Sequence, residues 1–110
     1  MNVRFWRMKN TWKNIKEMIT YPEGGITSKV IEKNELGDVT LFCMSGGTSI
    51  SDHTSTKAGY IYVIEGKGTF ILEGEKIEMT PGTLIVMRSN AVHSLSAQEN
   101  TSFILLLRDI

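Results

Sequence analysis

One cysteine stands in this chain of 110 residues, and a single thiol cannot close an internal disulfide. Long apolar runs are missing as well, and no early segment has the length of a signal peptide or a membrane span. Neither sign of charge dominates, because twelve Lys and Arg balance twelve Asp and Glu. That balance removes the electrostatic footprint of a general nucleic-acid binder. These absences describe a soluble, cytoplasmic protein with no nucleic-acid and no membrane partner. Signatures of catalysis are scarce too. Ser51, Ser55 and Ser94 lie near a histidine in sequence, but no acid stands in the pattern to complete a triad. Paired carboxylates for acid and base work are absent from the same stretches. Gly46, Gly47, Gly66, Gly68, Gly74 and Gly82 precede no helix, so they read as turn residues rather than a phosphate loop. Hydrolase chemistry is not expected on these grounds.

What is present is a single domain's worth of chain, long enough to bury roughly two thirds of its unfolded surface. Five cations, Arg4, Arg7, Lys9, Lys13 and Lys16, precede the first acid, Glu17. They read as a solvated N-terminus rather than a binding arm, and Met8 offers an alternative start. Trp12, Ile15 and Ile19 recur at near-helical spacing behind Thr11, a candidate N-cap, so one short helix or an irregular arm is expected over residues 1–25. The sequence Tyr21-Pro22-Glu23-Gly24-Gly25 is a turn.

From residue 26 onward the pattern changes. Short runs rich in Val, Ile, Thr, Phe and Tyr fall at 26–33, 39–44, 49–54, 60–64, 68–72, 76–79, 83–87, 91–97 and 101–108, with turn residues between them. Nine short strands without intervening helices predict an antiparallel sandwich or barrel over residues 26–110. Three of the runs, Tyr60 to Ile64, Thr83 to Met87 and Phe103 to Arg108, are apolar on both faces. One barrel has one interior, so their outer side chains need a second cover, either the N-terminal arm or another subunit, and a homodimer sharing a sheet face is the expected solution.

Only two histidines occur, and each lies in a segment with the same grammar of glycine turn, apolar run and strand-like alternation. The first runs from Gly47 to Gly66 and holds His53; the second runs from Pro81 to Leu95 and holds His93. Gly47, five residues and His53, followed by Tyr62-Val63-Ile64-Glu65-Gly66, resembles the first cupin motif, G-x5-H-x-H-x3,4-E-x6-G. Pro81-Gly82 through His93 resembles the second, G-x5-P-x-G-x2-H-x3-N. The resemblance spans roughly residues 26–108 and implies a double-stranded β-helix, the jelly-roll barrel. It also implies a metal site of three His and one Glu, from which this chain departs. His53 and His93 match ligand positions, but the second His falls on Ser55 and the Glu on Gly59; Arg88, Asn90 and Ala97 replace the Pro, Gly and Asn of the second motif. A group of short cupins with a single His in the first motif shows the same pattern.

Two imidazoles and water can hold Zn, Ni, Cu, Fe or Mn only weakly, since glycine ligates nothing and a neutral hydroxyl is a poor donor. Cys43 is the one soft side chain available to join them, and a buried inert thiol is the plainer reading of it. Asp52 alternates to the face opposite His53. Ser55, Tyr62 and Arg88 are the candidate contacts to a small molecule. Lys57 and Arg88 stand where an anion would approach, though strand-end cations are usually just solvated, and one of Tyr60 and Tyr62 is expected to pack outward. Two functions follow. One is a small-molecule binding protein with a loosely held divalent ion at His53 and His93; the other is a metal-dependent cupin enzyme, of dioxygenase or isomerase type, using the same pair.

Overall fold

A computed structural model describes residues 10–108. The cations Arg4, Arg7 and Lys9, the alternative start at Met8 and the last two residues lie outside the described part. Among the described residues helical structure is confined to one turn, α1, Ile15–Met18. Its cap is Asn14 rather than Thr11: the Asn14 Oδ1 accepts a hydrogen bond from the Lys16 amide at 3.1 Å, leaving Trp12 outside the helix and 85% exposed. Among the described residues no helix is long and apolar enough to cross a membrane.

Nine strands follow: β1 Ile26–Asn34, β2 Gly37–Met44, β3 Ser49–His53, β4 Ala58–Glu65, β5 Gly68–Leu72, β6 Glu75–Met79, β7 Leu84–Met87, β8 His93–Ala97 and β9 Thr101–Arg108. They form two antiparallel sheets, one of five strands in the order β1-β2-β9-β4-β7 and one of four in the order β3-β8-β5-β6. This is the expected jelly roll. The turns between strands use the residues that turn chemistry demands. Pro81 and Gly82 link β6 to β7, with Gly82 at φ +92° and the Thr83 amide bonded to the Thr80 carbonyl at 3.0 Å. Gly66, at φ +108° between β4 and β5, sits so close to the Asn100 carbonyl and the Thr101 backbone that a Cβ would collide with both.

Registers explain why one end of the barrel is filled and the other is not. In the five-stranded sheet Phe103 lies opposite Phe42 and Val63, and Leu105 opposite Ile61. Further along, Met44, Val63, Met79, Ile85 and Ala97 close the interior, each no more than 4% exposed. Toward the other end the inward positions include Leu107, Met87 and His93, which line a cavity instead of closing it.

Among the described residues the outer face of the larger sheet is covered at one end only. Leu41 and Cys43 point away from the core on β2, yet are 2% and 3% exposed, and the segment before β1 comes to this side of the sheet, with Tyr21 near Cys43. Gly25 accepts hydrogen bonds at 3.0 Å from both the amide and the hydroxyl of Ser45, and the Tyr21 hydroxyl donates to Glu65 at 2.7 Å. Burial, followed by the hydrogen bond to Glu65 and its negative charge, pushes the Tyr21 hydroxyl up from 10.0 to about 12.

Candidate functional site

Two strands from one sheet bring the histidines together. In the β3–β8 pair Ile50 lies opposite Leu95 and His53 opposite His93, so three steps on β3 match two on β8. The extra residue is a β-bulge at Ser51 and Asp52. Without it, strict alternation would send Ile50 and His53 to opposite faces; with it, both line the interior. Asp52 is exposed outside the barrel, as its position beside His53 required.

The imidazole centroids are 4.0 Å apart and the rings are inclined at 59°. His93 is 6% exposed and stacks on Phe70 at 5.7 Å, with 8° between the ring planes; His53 is exposed at the cavity mouth. Each ring is held the same way. His53 Nδ1 lies 2.9 Å from the Ser51 carbonyl, and His93 Nδ1 lies 2.9 Å from the Ala91 carbonyl. A carbonyl only accepts, so each Nδ1 carries a proton, the tautomer that in a neutral imidazole leaves the lone pair on Nε2. Backbone carbonyls that fix the tautomer in this way are the usual support of a ligating histidine.

Below the pair is a cavity of about 270 Å³. Phe42 and Phe103, stacked at 5.0 Å, form its wall on the larger sheet, and Phe70 and Leu95 form the opposite wall. Ser55 is at its rim, with the hydroxyl accepting from the Lys57 amide at 3.2 Å and the carbonyl accepting from Asn90 at 2.7 Å. Asn90 takes a left-handed conformation, φ +66°, at the place where the second motif has glycine.

His53, His93 and Ser55 thus share one cavity, whereas Tyr62 and Arg88 do not line it. Tyr62 is 50% exposed between the buried inward residues Ile61 and Val63, so alternation along β4 turns it outward together with Tyr60. Arg88 is exposed just beyond β7. Cys43 is outward on β2, on the face opposite Phe42, and cannot join the histidines. Lys57 has Asp38 at 3.6 Å, which balances the cation expected to meet an anion. The space left by the motif's Glu is not empty: a Cβ on Gly59 would lie 3.0 Å from the ends of both Leu107 and Met87. Among the described residues no third His, Cys, Asp or Glu joins the pair. This donor set fits a weakly held ion, not a four-ligand centre.

Phe42, Phe70, Phe103, Leu105 and Leu107 went unassigned in the sequence, although alternation of β9 around Phe103 marks the last three as sharing a face.

Residues 40–107 match a family profile described as the cupin domain. An uncharacterised protein from Aquifex aeolicus (strain VF5) is 31% identical over 83 residues, covering 74% of this chain and 69% of that protein. A cupin superfamily protein from Desulfitobacterium hafniense superposes with a TM-score of 0.83 at 13% identity, covering 94% of each chain. A salicylate 1,2-dioxygenase variant from Pseudoaminobacter salicylatoxidans superposes with a TM-score of 0.73 at 16% identity, over 86% of this chain and 29% of that one. Identities this low speak for the fold alone.

Proposed function

The chain belongs to the cupin domain family, and from that premise we propose that its barrel binds a small molecule in the cavity beneath His53 and His93, with a divalent ion held weakly by the two imidazoles. The observation that carries this reading is the pair itself: rings 4.0 Å apart, both tautomers fixed by carbonyls, and both Nε2 lone pairs left for a ligand at the mouth of an apolar cavity. Ser55 is the third polar contact. When bound, an ion such as Zn, Ni, Cu, Fe or Mn would supply a Lewis-acid centre at that mouth. A homodimer is part of the same proposal, supported by the outward apolar side chains of β4, β7 and β9, and so is a cytoplasmic location, where a reduced Cys43 is expected.

Calorimetric titration of untagged protein with Zn, Ni and Cu tests the reading. Binding should be weak in the wild type, absent in His53→Ala and His93→Ala, and lost as the pH is lowered, because only neutral imidazoles ligate. Equal binding by all three proteins would remove the shared site. The fold shared with the salicylate 1,2-dioxygenase variant supports a second reading, a metal-dependent oxygenase or isomerase built on the same pair. Stoichiometric metal in the purified protein, with oxygen uptake that His93→Ala abolishes, would favour that reading over the first.

A further inference from the structure

The walls of the cavity carry information about what fits inside it. Apart from His53, His93 and Ser55 every lining side chain is hydrocarbon or thioether, and no Lys, Arg, Asp or Glu among the described residues lines it. An anion entering would exchange water for a single hydroxyl donor, that of Ser55, since both Nδ1 protons are engaged by carbonyls. Lys57, the cation nearest the rim in sequence, is already matched by Asp38. What the mouth offers is acceptors: two Nε2 lone pairs within a centroid separation of 4.0 Å. Aromatic walls on both sheets, Phe42 with Phe103 and Phe70 with His93, favour a flat body between them. Size follows from volume. An apolar cavity of about 150 Å³ takes benzene, so one of about 270 Å³ has room for about ten non-hydrogen atoms.

Resting on the small-molecule reading above, we infer that the ligand is an uncharged, mostly apolar and flat molecule with a hydrogen-bond donor at one end, an alkylphenol being its simplest form. The donor end meets His53 and His93, and the hydrocarbon end lies against Phe103, Leu105 and Leu107.

Calorimetry of the full chain in the presence of a chelator, with 4-propylphenol, propylbenzene and 4-methylbenzoate, which matches the phenol in number of non-hydrogen atoms, tests this. The phenol should bind with a Kd on the order of a millimolar or tighter. Propylbenzene should bind roughly fivefold to tenfold more weakly, the worth of one hydrogen bond, and the benzoate should not bind measurably. Leu105→Trp, which fills the cavity, should abolish phenol binding, and His53→Phe, at an exposed position that tolerates change, should narrow the gap between phenol and propylbenzene. Benzoate binding as tightly as the phenol, or propylbenzene matching it in the wild type, would overturn the assigned class while leaving a binding barrel. Should no probe bind, the class falls, and a zinc titration of the chelator-free protein then judges the broader reading: zinc bound at the pair leaves it standing, and no zinc removes both.

Discussion

His53 and His93 are alike in chemistry and unlike in burial, and that difference separates what each contributes to folding from what each contributes to binding. His93 is buried, bonded to the Ala91 carbonyl and stacked on Phe70, so His93→Ala leaves a void and an unmet carbonyl at about 2 kcal/mol or more. His53 is exposed, and His53→Ala should change stability by less than about 0.5 kcal/mol. Urea unfolding should show that split, while calorimetry shows both variants without metal. Ser55 and Gly59 differ in the same physical way. Ser55 faces the cavity, so Ser55→His adds a third imidazole and should raise zinc affinity roughly tenfold or more. Gly59→Glu should destabilise the barrel unless Leu107 is shortened with it, because Leu107 and Met87 already occupy that space. A stable Gly59→Glu variant with improved zinc binding would show that those side chains yield more readily than their packing implies.

At the level of elements, the strands were legible because period-two alternation between turn residues is a strong local signal, and each of the nine expected runs overlaps an observed strand. The pairing of His53 with His93 was legible from the family pattern, which carries long-range information that local patterning lacks. What stayed hidden depended on contacts between distant parts. The bulge in β3 cannot be read from Ser51 and Asp52, since the extra residue is defined only against β8. The direction of Tyr62 follows from which face of β4 meets the core, and a run apolar on both sides does not reveal that. The Asn14 cap lost to Thr11 because spacing placed the helix from Trp12, which the fold leaves in water. The segment before β1 also carries a pH response. Tyr21 holds its proton to about 12 in the folded chain but to about 10.0 when unfolded. Its stabilising contribution is therefore complete below pH 10 and is lost as the pH rises toward 12, because the unfolded chain releases the proton first. Urea midpoints of the wild type should fall across that window more steeply than those of Tyr21→Phe, and parallel curves would remove Tyr21 as the cause.

At the scale of the whole molecule the unsolved surface is the outer face of the five-stranded sheet. Register places Tyr60 beside Val86 and Leu106, and Tyr62 beside Leu84 and Ile104, so six apolar side chains from β4, β7 and β9 adjoin without a charge among them. Tyr62, Leu84, Val86 and Leu106 are 50%, 59%, 56% and 38% exposed, whereas Leu41 and Cys43 at the other end of the face are buried, with Tyr21 near Cys43. Among the described residues the segment before β1 reaches β4 only at Glu65 and leaves Tyr62 and β7 open. A second copy related by a twofold axis would place this patch against itself, and a stable interface of this kind covers about 800 Å² per partner. The proposed homodimer predicts that sedimentation at tens of micromolar, an order-of-magnitude working concentration, gives a dimer for the wild type. Val86→Lys places two cations against each other across the axis and should give a monomer with unchanged far-ultraviolet dichroism. Reversal of that charge in a partner chain, by mixing Val86→Lys with Val86→Glu, should restore the dimer as a heterodimer. A wild type that sediments as a monomer, or a Val86→Lys variant that stays dimeric, would move the second copy off this face.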